Sequence, residues 1–362
     1  MDPRIEEHAE ILVDYSIEAE AGDEVVLMAP REAEDLAVAV SGLLGKRGAN
    51  VTHLGGSARR RRAYLRASDP ESFETSEVAL AAFETADAFI GIGGATNAHE
   101  TSDVPPETTA AYGRAQKPIQ EAYLDTDWVG TQYPTPADAQ TAGMSTEAYE
   151  EFVWNAVNRD WEEQREYQEG FVDVLDPADE VRIVSGDTTD VTLDVSGMRA
   201  CNDHGRINVP AGEVFTAPNR DGVDGEVLFD LPVITRGHEV EAARLVFEDG
   251  VVVEHSAETN EEALTAQLNT DEGSNRLGEL GIGMNRGIDR FTKNILFDEK
   301  MGDTVHMAIG MAYEECVPEG KERNDSSVHT DMLVDMSEDS HIEIDGEVVQ
   351  RNGRFFFEDG FE

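Results

Sequence analysis

The chain has 362 residues, 40% of them hydrophobic, enough for one large core or two of medium size. Its 76 acidic residues stand against 28 Lys+Arg, a formal net charge of -48, and such a surface repels phosphate and argues against nucleic acid as a partner. No apolar run approaches the roughly 20 residues of a membrane-spanning helix, and the start, Met1-Asp-Pro-Arg4, lacks the basic-then-apolar order of a signal peptide.

Lysine is scarce: Lys46, Lys117, Lys293, Lys300 and Lys321 are the whole supply. Self-repulsion at this charge strains a compact state, whereas in molar salt the Debye length shrinks to roughly 3 Å and most of the repulsion disappears. The composition therefore resembles that of proteins from extreme halophiles and is read as adaptation to a salt-rich cytoplasm. Cys201 and Cys316 form no CxxC pair and are expected to be reduced thiols in a cytoplasmic protein.

Along the chain, a β-branched run at 24–28, an amphipathic stretch at about 32–44, Gly48 and a second run at 50–54 predict a strand–helix–strand unit with parallel strands. A third strand is expected at 86–92, ending in Gly93-Gly94. Apolar positions Tyr149, Phe152, Val153, Ala156, Val157 and Trp161 fall at helical spacing, which predicts a helix within 145–175, closed by Pro177. From about residue 180 short strands and turns take over: runs at 181–184 and 191–195, then hairpin signals at Asp249-Gly250, Asp345-Gly346 and Asn352-Gly353. One helix is expected near 260–268. The fold class is thus α/β: an amino-terminal α/β domain with a partly parallel sheet, 1–178, followed by a β-rich α+β domain, 179–362.

Gly91-Ile-Gly-Gly94 follows a strand but lacks the G-x-G-x-x-G spacing and opens no clear helix, so it is read as a strand-end turn and not a nucleotide site. Arg59-Arg-Arg-Arg62 is the one basic cluster and is read as a solvated helix face paired with acids.

Metal chemistry is the stronger signal. His329 and Asp331 are two apart in a strand-like segment, so both side chains point to one side. His306 sits in an otherwise apolar run, 305–313, that ends in Tyr313. Glu213 follows Pro210-Ala-Gly212, and Glu279 is framed by Gly278, Gly281 and Gly283. A carboxylate in such surroundings is expected to be buried, and a buried carboxylate needs a cation or a metal; Lys300 and Arg286 are the available cations nearby.

Five motifs in order carry a resemblance to a known family: Asn208-x-Pro-x-Gly-Glu-Val-Phe-Thr-Ala-Pro218, Leu277-Gly-Glu-x-Gly-x-Gly-x-Asn285, Phe297-Asp-Glu-Lys300, Gly302-x-x-x-His-x-Ala-x-Gly-x-x-Tyr313 and Ser327-Val-His-x-Asp331. Between about 180 and 336 the chain resembles the aminopeptidase T / aminopeptidase S metallopeptidases. The resemblance implies two divalent metal ions, zinc or cobalt, on Glu213, Glu279, His306, His329 and Asp331, with Tyr313 catalytic. It also implies a homodimer acting on peptides with a free amino terminus. The family's usual Trp between the last His and Asp is Thr330 here, expected to widen or re-line the pocket, and the charged loop 316–324 replaces a glycine-rich connection. The function implied is a metal-dependent aminopeptidase using a dinuclear metal-activated water. The alternatives are a dinuclear amide hydrolase acting on another substrate and a non-catalytic metal-binding paralogue.

Overall fold

The computed structural model describes residues 1–235 and 238–361. It is mixed α/β, with a parallel sheet near the amino terminus and antiparallel sheets beyond. By Cα proximity the chain forms two compact units, Met1–Arg159 with Gly205–Pro210, and Asp160–His204 with Ala211–Glu362.

In the first unit, five parallel strands lie in the order Asn50–Gly56, Glu24–Pro30, Ala88–Gly93, Asp127–Gln132 and Asn208–Val209. Val25, Val26 and Leu27 are buried on Glu24–Pro30, an interior strand, as expected for a strand covered on both faces. The helix Glu34–Arg47 buries Leu36, Val40 and Leu44, four residues apart, and ends on Gly48 at φ 85, where a glycine caps without Cβ strain. The Arg59–Arg62 run lies in the helix Ala58–Ala67, and Arg62 and Arg66 both pair with Asp103. After Gly94 no helix begins until Pro106, so the glycines end a strand and do not open a phosphate-binding helix.

The second unit holds an eight-stranded antiparallel sheet and a five-stranded one. The three hairpin signals all form turns in which both residues have positive φ: 48 and 76 at Asp249-Gly250, 50 and 83 at Asp345-Gly346, 48 and 74 at Asn352-Gly353. Those are the dihedrals of type I′ turns, whose twist suits adjoining strands.

The helical stretch expected within 145–175 is two helices, Thr146–Val157 and Trp161–Leu175. They separate because the Asp160 side chain accepts from the backbone N–H groups of Glu162 and Glu163 and starts a new helix. Phe171 and Leu175 of that second helix pack with Val181, Ile183, Val191 and Phe229 in the core of the second unit. This helix therefore groups with the second unit, which begins at Asp160.

Candidate metal centre

The five-stranded sheet orders His329–Asp335, Thr304–Gly310, Leu277–Gly283, Glu213–Thr216 and Cys201–Asp203, all antiparallel. One face is apolar: Val214, Leu280, Ile282, Val305, Met307, Ile309, Met332 and Val334 enter the core. Alternation then sends the intervening residues to the other face. There Gly283 pairs with Glu213, Gly281 with His306, Ala308 with both Glu279 and Asp331, and Gly310 with His329. Residues paired across antiparallel strands share a face, so all five expected ligands come together on one side.

Gly281 explains how an imidazole fits against the sheet. A Cβ there would lie 2.0 Å from His306 Cε1 and Nε2, so His306 occupies the volume that any other residue would fill.

Two clusters share one carboxylate. Glu213, Glu279 and His306 form the first; Glu279, His329 and Asp331 form the second, and within each the candidate ligand atoms lie within 4.8 Å of one another. His306 Nε2 is 3.2 Å from Glu213 Oε2 and 3.4 Å from Glu279 Oε1. His329 Nε2 is 3.2 Å from the other oxygen of Glu279, Oε2, and 3.4 Å from Asp331 Oδ1. Each oxygen of Glu279 therefore faces a different histidine.

The outer nitrogens fix the tautomers. His306 Nδ1 is 3.1 Å from the Glu299 carbonyl and His329 Nδ1 is 2.9 Å from the Met311 carbonyl. Carbonyls only accept, so both Nδ1–H groups donate and both Nε2 atoms turn to the carboxylates, the arrangement that orients metal-binding histidines.

Electrostatically the site is closed and crowded. His306 is 1% exposed, and Glu213 and Glu279 are buried. Burial pushes Glu213 up to about 8 even with Lys300 beside it. Burial also opposes ionisation of Glu279, but bonding to His306 and His329 holds it below its ordinary value. Both histidines are shifted the other way: burial disfavours their charge, and the surrounding carboxylates lift them well above the usual imidazole range. Several carboxylates and two imidazole nitrogens thus converge on the same space. Glu213 Oε2, although buried, has no hydrogen-bond partner, and Glu279 Oε2 faces His329 Nε2 at 3.2 Å. Buried carboxylate oxygens converging with imidazole nitrogens are the donor set for a divalent ion of borderline hardness, so the residues present fit metal.

Tyr313 stands at the rim, 40% exposed, its ring 4.8 Å from that of His329 and 5.9 Å from that of Phe215. Partial burial, then the charges of Glu279 and Asp331, keep its phenol above the ordinary pKa, so it is a hydrogen-bond donor at neutral pH. Beneath it, Phe215, Ala217, Ala312 and Cys316 form an apolar cluster with Cys201 and Val317.

The whole chain, residues 1–361, matches the model of the thermophilic metalloprotease (M29) family. The chain belongs to that family. Among M29 relatives, it is 29% identical to aminopeptidase T of Thermus aquaticus over 93% of each chain. It is 36% identical to aminopeptidase AmpS of Bacillus subtilis over 47% of each. Its fold superposes on the structure of wild-type AmpT from Thermus thermophilus with a TM-score of 0.86 at 27% identity, covering 98% of this chain and 99% of that one. A 2,5-dihydroxypyridine dioxygenase from Pseudomonas putida shares the fold alone, with a TM-score of 0.63 at 14% identity over 99% of each chain. The chain is a metallo-aminopeptidase of the M29 family, and the likeness extends through the amino-terminal half as well as the motifs of 180–336.

Two expectations about this M29 site need correction. Thr330 does not re-line the pocket: it lies on the core face of its strand, where its hydroxyl accepts a 2.7 Å bond from Gln267 Nε2. Arg286 is no partner of the buried glutamates; it binds Asp303 and Glu358. Lys300 does take that place, with its ammonium 3.0 Å from Glu213 Oε1, next to Glu299 and 4.0 Å from Asp203. Asp203 itself was not expected, since nothing distinguishes it from the other acids of the chain, whereas Lys300 is marked by the scarcity of lysine.

Proposed function

We propose that the enzyme removes amino-terminal residues from peptides using two divalent ions, zinc or cobalt, held by Glu213, Glu279, His306, His329 and Asp331. The observation that carries this reading is the division of Glu279, whose two oxygens face two separate histidine–carboxylate groups. In it Glu213 and His306 would hold one ion beside one oxygen of Glu279, and His329 and Asp331 would hold the other beside its second oxygen.

When bound, the ions supply Lewis acidity, polarising the scissile carbonyl and making water acidic enough to attack near neutral pH. The chain supplies the rest. Glu299 and Met311 carbonyls hold the imidazoles in the Nε2-facing orientation. The floor beneath, buried Leu280, Ile282, Val305 and Met307, keeps water out from below and lowers the local dielectric, which strengthens every charge interaction above it. Tyr313 donates a hydrogen bond to the oxygen that gains charge as the carbonyl becomes tetrahedral, which is worth most in the transition state. The acidic surroundings of Glu279, Asp331 and Glu299 favour a substrate's free α-ammonium over a blocked terminus. The same reading takes the protein as a cytoplasmic homodimer.

The test is hydrolysis of amino-acid anilides in molar KCl, compared with the N-acetylated anilides. Activity on the free amines alone, lost on chelation and restored by Zn²⁺ or Co²⁺, is the expected result. Equal turnover of the blocked substrates, or indifference to the chelator, would refute it.

A further inference from the structure

The segment from Asn294 to Met301 carries a lysine that the chemistry above leaves unused. Lys300 is 0% exposed, and a long cationic side chain is almost never buried without dedicated partners. Its ammonium lies 3.0 Å from Glu213 Oε1, beside Glu299 and 4.0 Å from Asp203 Oδ2. Glu213 is thereby divided: Oε1 goes to Lys300, and Oε2, without a hydrogen-bond partner, points toward His306 Nε2 at 3.2 Å.

The segment behind Lys300 is held firmly. Asn294 caps the short helix Ile295–Asp298 through the Leu296 N–H, and Asp298 accepts from both Thr292 N at 2.8 Å and Thr292 Oγ1 at 2.7 Å. The Lys300 carbonyl accepts from Asn285 N at 2.9 Å. The neighbouring residue, Glu299, supplies the carbonyl that orients His306. One rigid turn therefore touches both members of the Glu213–His306 pair, one through a carbonyl and one through an ammonium.

We propose that Lys300 is a positioning residue for the metal centre: by occupying Glu213 Oε1 it presents Oε2 alone to the ion. A carboxylate free to rotate would offer either oxygen or both, whereas an ammonium of three donors fixed in a buried site removes that freedom. The inference rests on Glu213 being a ligand, as argued above, and adds what sets its coordination. Second ligand-orienting partners of this kind typically account for about 10–100-fold in metal affinity.

The test is competition for zinc between the apo-protein in molar KCl and a chromogenic chelator. Four chains are compared: the wild type, Lys300→Met, Glu213→Gln and the double variant. Lys300→Met is expected to weaken zinc binding by about 10–100-fold, but to change it by less than about threefold when Glu213 is already Gln, because the two act as one unit. A merely structural lysine would cost the same factor in both backgrounds, and that result overturns the proposal. So does unchanged or tighter zinc binding by Lys300→Met, which would mean the ammonium only competes with the ion for Glu213. A wild type that binds no zinc instead overturns the metal-centre reading itself. Should Lys300→Met fail to fold, the zinc-loaded wild type decides in a crystal structure. Glu213 bonded through one oxygen with the other on Lys300 Nζ supports the proposal; Glu213 chelating through both oxygens overturns it.

Discussion

Gly281 and Tyr313 are the residues whose substitution separates the parts of the site. At Gly281 a methyl group has no room, since Cβ would overlap the His306 ring at 2.0 Å. Gly281→Ala is expected to displace His306 and to lower zinc affinity by about 10-fold or more while the protein stays folded, measured by chelator competition and circular dichroism. Tyr313→Phe is expected to do the converse. It removes a donor and no ligand, so metal content should be unchanged while kcat falls roughly 10²–10³-fold, the usual cost of one such donor. At this scale the sequence was legible where the background was quiet. His306 stood out because its strand, Thr304–Gly310, is buried along its whole length, and Glu279 because glycines flank it. Asp203 was lost among the other acids. Thr330 misled because its meaning depends on which face of the strand it occupies, and adjacent residues on a strand have opposite environments.

Among elements, the helix Pro3–Glu10 depends on one buried histidine. His8 Nε2 is 2.8 Å from Thr131 Oγ1, and that hydroxyl donates onward to the Val209 carbonyl at 2.7 Å, so His8 is the donor and its buried Nδ1 has no partner. Burial pushes His8 down to about 3 from an ordinary 6.5. The unfolded chain then binds the extra proton first as pH falls through 6.5, and stability drops from there toward pH 3. Between pH 7 and 5 this one group should cost about 2 kcal/mol. His8→Gln, which keeps a donor for Thr131, should lose correspondingly less over that interval in urea melts, and equal losses would contradict the assignment. Strands and hairpins were the legible elements, because Asp-Gly and Asn-Gly turns and β-branched runs are local signals. The helix Pro106–Leu124 was not, since its buried face is Thr108, Ala111, Ala115 and Ile119, with Pro118 inside it; small residues and a proline give little helical periodicity to read. The break between the helices Thr146–Val157 and Trp161–Leu175 was hidden for the opposite reason, the apolar spacing running across an Asp160 cap.

For the whole molecule, charge and metal are the two controls. A net charge of -48 on 362 residues makes stability a function of salt, because the Debye length falls from about 10 Å at 0.1 M to about 3 Å at 1 M. The melting temperature is expected to rise steadily from 0.1 M to 3 M KCl, and a flat or falling curve would remove halophilic adaptation as the reason for the acidic surface. Fold class and family were readable in outline from periodicity and motif order. The proposed function requires two ions per chain that share Glu279, and metal stoichiometry tests this most directly. Apo-protein in molar KCl, titrated with zinc and followed by elemental analysis, should hold two ions per chain, and Glu279→Gln should weaken both together and abolish anilide hydrolysis. A wild type saturating at one ion, or a Glu279→Gln enzyme that keeps two ions and full activity, would contradict it.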